Sequence, residues 1–62
     1  MTPTRAMMTR IEDSGYQFLR SESGWALYDL DDRKEVKGAH AKALGDSIWL
    51  AAEVLGLEHD GE

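Results

Sequence analysis

The chain has 62 residues, no cysteine, and a formal net charge of −5 from 12 acidic and 7 basic side chains. This length predicts one domain with a thin core, and the lack of cysteine excludes disulfides and thiolate metal sites. The two histidines, His40 and His59, belong to no motif with metal-ligand spacing. We therefore expect neither a metal ion nor another cofactor.

The sequence shows no pattern typical of a membrane span or a signal peptide. No apolar run approaches the roughly 20 residues of a membrane-spanning helix, and the first eight residues lack the apolar stretch of a signal peptide. We expect a cytoplasmic protein whose single domain covers residues 1–62, with flexible ends at 1–6 and 58–62.

Residues 7–12 are ambiguous between strand and helix. Thr9 and Ile11, with a turn directly after them, favour an edge strand. Thr2 and Pro3 favour a helix start, with threonine as the N-cap and proline at the first helical position. The strand is the preferred interpretation and the helix the alternative.

Two tight turns, at 13–15 and 21–24, frame a β-hairpin. Residues 16–20 and 25–30 are rich in aromatic side chains and fit strands. The four-residue connection predicts that Arg20 faces Trp25, Phe18 faces Leu27 and Tyr16 faces Asp29. The face with the better core candidates carries Tyr16, Phe18, Trp25 and Leu27, and the other carries Gln17, Leu19, Ala26, Tyr28 and Leu30.

A third turn at 31–34 precedes a short possible strand at 35–37, and a helix is predicted from about His40 to Leu55. Apolar residues repeat there at helical spacing, and Gly56 marks the end of the helix. Gly45 costs about 1 kcal/mol relative to alanine inside a helix, and we expect its small size to let the sheet or a ring approach closely. The apolar stripe consists of Ala41, Leu44, Ile48, Ala51, Ala52 and Leu55.

These elements predict an α+β fold, an antiparallel meander of about three strands with one C-terminal helix packed on one face. The far side of such a helix is expected to be polar, yet this one is partly apolar. Either the N-terminal segment folds over that side, or a second copy or a partner covers it. The residues concerned are Trp49, Leu50, Val54 and Leu57.

No motif points to catalysis or metal binding. The acidic run from Asp29 to Glu35 fails as a calcium loop, because Lys34 stands where glycine is expected and His40 where glutamate is expected. There is no nucleophile elbow and no glycine-rich phosphate loop. We predict that the protein is not an enzyme and has no catalytic or metal-ligating residues.

Carboxylates in turns and at strand ends are the candidate partner-binding residues. In a meander, alternate turns lie at the same end of the sheet, which places Asp13 with Asp31 and Asp32, and Glu22 at the other end. Such carboxylates can imitate DNA phosphates and suit a basic protein; the alternative is a solvated rim. The predicted set is Glu12, Asp13, Glu22, Asp29, Asp31, Asp32 and Glu35.

Direct nucleic-acid binding is a weaker interpretation. Tyr16, Phe18, Trp25 and Tyr28 offer rings on which bases could stack. However, the net charge has the wrong sign for a phosphate backbone, and no lysine or arginine follows Lys42. The aromatic residues are more simply explained as core.

In length, charge, lack of cysteine and catalytic motifs, and hairpin-then-helix order, the chain resembles the small acidic phage proteins that disable host machinery, above all anti-CRISPR proteins that mimic DNA. This resemblance implies an inhibitor in the host cytoplasm that docks on a nucleic-acid-binding protein, for example a subunit of a CRISPR surveillance complex. The alternative is a structural or regulatory homodimer that associates through the apolar outer side of its helix.

Overall fold

The computed structural model describes residues 3–57, which form two layers. One layer is a three-stranded antiparallel sheet in the order β1-β2-β3, and the other consists of two helices that share one hydrophobic core with it. The predicted α+β meander with a C-terminal helix on one face is therefore confirmed. The elements are α1 (Pro3–Asp13), β1 (Tyr16–Ser21), β2 (Gly24–Asp29), β3 (Lys34–Ala41) and α2 (Leu44–Leu55).

The hairpin of β1 and β2 has the predicted register. Phe18 lies opposite Leu27, and Arg20 lies opposite Trp25. Phe18 and Leu27 are buried beneath the helices, whereas Leu19 on the other face is 39% exposed. The alternation of side chains along the two strands thus identified the core face correctly.

The N-terminal segment is a helix, so the preferred strand interpretation of residues 7–12 was wrong. Pro3 is the first residue of α1, a position where its missing N–H is no loss. Met7 and Ile11 are one helical turn apart and both are buried against the core. This burial outweighs the strand preference of Thr9 and Ile11. Residues 3–6, predicted to be flexible, lie within the helix, whereas residues 1–2 and 58–62 lie outside the described part.

Strand β3 is longer than predicted, and α2 is correspondingly shorter. Residues 40 and 41 pair in the sheet, with Ala41 opposite Trp25, although the sequence indicated that the helix starts at His40. Ala43 is extended (φ −104°, ψ 143°) and precedes the first helical residue, Leu44. Contact with the neighbouring strand therefore overrides the helical preference of the alanines.

A wide bulge interrupts β3. Trp25 and Leu27 are two positions apart on β2, but their partners Ala41 and Val36 are five positions apart on β3. Gly38 adopts a φ of +92° within the bulge, a conformation that favours glycine. The extra residues bring the fully buried Ala39 towards α2.

The predicted apolar stripe of α2 is confirmed from Leu44 onward, and the helix ends where predicted, whereas Ala41 belongs to β3. Ile48, Ala51 and Ala52 are buried, and Gly56 takes the left-handed conformation expected of a helix stop. The expectation for Gly45 was wrong, because a methyl group placed there would meet nothing within 4 Å. In residues 3–57, neither helix is long and apolar enough to cross a membrane.

Candidate partner-binding surface

Two acidic turns meet at one end of the sheet. The backbone N–H of Leu30 donates to the carbonyl oxygen of Gly15 at 3.0 Å, and a methyl group on Gly15 would lie 3.9 Å from Oδ2 of Asp31. The turn after α1 therefore lies beside the turn between β2 and β3, as the meander predicted. We call the four exposed carboxylates at this place the acidic end: Glu12, Asp13, Asp31 and Asp32.

The turn after α1 is held by its own backbone. The N–H of Ser14 lies 3.2 Å from the Arg10 carbonyl oxygen, and the N–H of Gly15 donates to the Glu12 carbonyl oxygen at 3.1 Å. The Ser14 hydroxyl also donates to the Arg10 oxygen. Gly15 has a φ of +100°, which directs the chain into β1 immediately. Glu12 and Asp13 are thereby fixed at the helix end.

Asp29 holds the second turn together. Its Oδ1 accepts the N–H groups of Asp31 at 2.9 Å and Asp32 at 3.3 Å, the pattern of an Asx turn. Arg33 donates its N–H to the Asp29 carbonyl oxygen and has a φ of +56°, which serves here in place of a turn glycine. Asp29 is half-buried, so its main role is to position Asp31 and Asp32.

The other two predicted carboxylates lie apart from the acidic end. Glu22 is exposed in the turn between β1 and β2, at the opposite end of the sheet, as predicted. Glu35 pairs with Tyr28 and therefore lies on the outer face of the sheet. Of the seven predicted residues, the structure brings four together and gives Asp29 a supporting role.

The arrangement of charge at the acidic end does not favour folding. Glu12 and Asp13 occupy the last turn of α1, where the helix dipole is negative and a carboxylate is unfavourable. Asp31 and Asp32 add like charges nearby. Arg10 in the last turn of α1, Arg33 in the second turn and Lys34 at the start of β3 offset part of this repulsion. A group of exposed carboxylates in an electrostatically unfavourable place is a candidate for binding.

The apolar outer side of α2 is open at Trp49 and Leu50. These two side chains line a depression of about 390 Å³ together with Ala41, Asp46 and Glu53. Of the other two predicted contact residues, Val54 is 46% exposed and leans towards Gly38 of β3, while Leu57 packs against the core. Trp49 also contacts the core with part of its surface.

The N-terminal helix does not cover this depression. Helix α1 lies on the opposite side of α2, where Met8, Leu44 and Ile48 line a separate groove between the two helices. Of the alternatives for this side of the helix, the one in which α1 shields Leu50 is therefore wrong. Because Asp46 and Glu53 line the depression, its charge suits a basic partner better than a second copy of the chain.

The aromatic residues considered for base stacking are mostly engaged in the fold. Phe18 is buried, and Tyr16 and Trp25 pack partly against the core. Tyr28 is half-buried on the outer face of the sheet. This distribution supports the interpretation of the aromatic residues as core.

Sequence reasoning missed one polar depression, at the end of the hairpin that carries Glu22. Arg20, Trp25 and Lys42 line it. Lys42 was expected inside a helix, so nothing in the sequence pattern indicated that it lies beside Arg20. Only the length of β3 brings the two cations together.

Comparison with protein-family models, with curated proteins and with solved structures finds no match to this chain. The resemblance to anti-CRISPR proteins is therefore still a prediction.

Proposed function

We propose that this protein is a non-enzymatic inhibitor that binds a basic surface of a nucleic-acid-binding protein, with the carboxylates of the acidic end in the place of DNA phosphates. The observation that carries the proposal is the hydrogen bond between Leu30 and Gly15, because it joins the two acidic turns into one surface. A CRISPR effector subunit is the candidate partner that the resemblance suggests.

The acidic end is preorganised for binding. Its carboxylates stand on turns whose backbone is fixed by hydrogen bonds from Ser14, Gly15 and Leu30 and by the Asx turn of Asp29. A rigid surface loses little conformational entropy when a partner docks. Such rigidity favours a mimic of a regular phosphate backbone over a solvated rim.

The unfavourable charge at the acidic end also supports the proposal. Glu12, Asp13, Asp31 and Asp32 are exposed carboxylates of like charge, and arginine or lysine side chains of a partner would pair with them. The same charges speed the encounter with a basic surface at low salt. The carboxylates of the acidic end thus lower the stability of the free protein and raise its affinity for a basic partner.

A homodimeric structural or regulatory module is the second candidate function. The open depression at the half-buried Trp49 and Leu50 favours it, because apolar surface that is open to solvent commonly marks an interface. Asp46 and Glu53 oppose it, since a symmetric contact would bring carboxylates of the two copies close together. Sedimentation at several concentrations separates the two ideas: a concentration-dependent dimer that Leu50→Asp abolishes supports the module.

The inhibitor proposal is tested by titrating the protein into purified CRISPR effector complexes, with and without target DNA, at about 50 and 200 mM salt. We expect binding that target DNA competes away and that weakens with salt. The double variant Asp31→Lys/Asp32→Lys should lower the affinity at least about tenfold. The single variant Asp31→Lys should also lower the affinity more than Glu22→Lys, which makes the same charge change at the opposite end and is its matched control.

Two results would count against the inhibitor proposal. One is binding that target DNA does not affect, and the other is an equal loss of affinity for Glu22→Lys and for Asp31→Lys. Either result would show that the acidic end does not act as a mimic of DNA phosphates.

A further inference from the structure

The depression at the end of the hairpin combines cations with an aromatic ring. It is open to solvent and has a volume of about 300 Å³, at the lower limit of the range for small-ligand sites. It is lined by residues 20–25 of the hairpin and by Lys42. It lies at the opposite end of the sheet from the acidic end.

The strand pairing explains why these side chains converge. Trp25 lies opposite Arg20 on one side and opposite Ala41 on the other, and Lys42 follows Ala41 directly. Gly24 allows the chain to pass this close, because a methyl group there would lie only 2.8 Å from Cα of Lys42. The two cations are thus placed around Trp25 by the backbone of three strands.

Within residues 3–57, neither cation has a partner that neutralises it. In the part of the chain that the structure describes, no hydrogen bond or ion pair engages the guanidinium of Arg20 or the ammonium of Lys42. Both side chains are exposed. Two cations that residues 3–57 leave unpaired at one depression are available for an anion.

The turn behind the depression is held in place. The Ser21 hydroxyl donates to the Gly24 carbonyl oxygen at 3.3 Å and lies 3.2 Å from the Ser23 hydroxyl. Ser23 in turn lies 3.2 Å from Nε2 of His40 on β3. This chain of contacts ties the hairpin turn to β3 and keeps the wall of the depression fixed.

We propose that this depression binds a small phosphorylated molecule with a flat ring, such as a nucleoside monophosphate. The guanidinium of Arg20 suits two phosphate oxygens at once, and Lys42 adds a second positive charge. The exposed part of Trp25 offers a surface for the ring of the ligand. Glu22 opposes the anion and limits the affinity. This site is independent of the function proposed for the acidic end.

The test is an NMR titration of the ¹⁵N-labelled protein with inorganic phosphate, AMP and adenosine, at constant ionic strength held with sodium chloride. We expect saturable shifts confined to the amides of residues 20–25 and 40–42. AMP should bind more tightly than phosphate, because only AMP carries a ring for Trp25. Adenosine should bind more weakly than AMP, because it lacks the charge that the two cations recognise.

Charge variants make the assignment specific. Arg20→Gln and Lys42→Gln should each weaken AMP binding about tenfold, which corresponds to one charge-assisted contact, and Glu22→Gln should tighten it. Lys34→Gln removes the same charge from an exposed residue at the other end of the sheet and is the matched control. Because all four side chains are exposed, the thermal unfolding of the variants should stay close to that of the wild type.

Three results would overturn this proposal. The first is a set of shifts that spreads over the surface and does not saturate. The second is an equal loss of affinity for Lys34→Gln and Arg20→Gln. The third is an affinity for AMP that does not exceed the affinity for phosphate, since Trp25 would then contribute nothing.

Discussion

The backbone N–H of Leu30 and the carbonyl oxygen of Gly15 form a 3.0 Å hydrogen bond between the turn after α1 and the turn after β2. This contact lies outside the regular β-ladder. It draws the end of the first helix towards the end of the second strand and so brings carboxylates from two separate turns to one surface.

The first prediction concerns the charge at the end of α1. Asp13→Asn should raise the free energy of unfolding by about 0.3–1 kcal/mol, because it removes a negative charge from the negative end of the helix dipole. The gain should shrink as salt is added. Urea unfolding at low and high ionic strength measures both effects. Glu22→Gln, outside any helix, serves as the control; an equal gain there would contradict a dipole effect.

The second prediction concerns Asp29. Asp29→Ala should lower the free energy of unfolding by about 1–2 kcal/mol, because the N–H groups of Asp31 and Asp32 lose their acceptor. Asp29→Asn keeps an acceptor oxygen and should lose less. Urea unfolding measures the stability, and amide shifts of residues 31 and 32 report the turn. If Asp31→Ala destabilises the protein as much, the supporting role of Asp29 is wrong.

The third prediction concerns the glycine inside α2. Gly45→Ala should stabilise the protein, by less than the roughly 1 kcal/mol of a helix interior, because Gly45 is the second residue of α2 and the added methyl group meets nothing within 4 Å. Gly56→Ala is the contrasting variant: its φ of +73° makes a side chain unfavourable by about 1–2 kcal/mol. Thermal and urea unfolding should therefore move in opposite directions for the two variants. A loss of stability for Gly45→Ala would show that space at this position is needed.

The fourth prediction concerns the contact between α2 and the bulge of β3. The hydroxyl of Ser47 is fully buried and donates to the Ala39 carbonyl oxygen at 2.6 Å. Ser47→Ala should destabilise the fold by about 1–3 kcal/mol, because the buried carbonyl oxygen is left without this donor. Ser14→Ala removes an exposed hydroxyl contact to a backbone oxygen and should change the stability by less than about 0.5 kcal/mol. Equal effects would mean that burial of the bond is unimportant.

The parts of the fold that the sequence predicted correctly are those encoded by local patterns. The alternation around Phe18 and Leu27 set the register of the hairpin, and the helical spacing from Leu44 to Leu55 set the buried side of α2. The shared end of the two acidic turns followed from the topology of a meander. The first two features depend on residues close together in the chain, and the third depends on the order of the strands.

The parts that were missed depend on contacts between distant residues. Helix α1 forms because Met7 and Ile11 reach the common core, which the strand preference of Thr9 and Ile11 concealed. The later half of β3 forms because Ala41 pairs with Trp25, although alanine has little preference for strands. The convergence of Arg20 and Lys42 depends on that same pairing, so local patterns did not indicate it.

The bulge of β3 also decides how this sheet can grow. A further strand that added beside β3 would need evenly spaced N–H and carbonyl groups, and the irregular stretch around Gly38 and Ala39 breaks that spacing. Bulges of this kind protect a sheet edge against aggregation. Strand β1 forms the opposite edge and is regularly paired with β2 from Tyr16 to Ser21. The bulge that brings Ala39 against α2 therefore also blocks fibril-like extension of the sheet at the β3 edge.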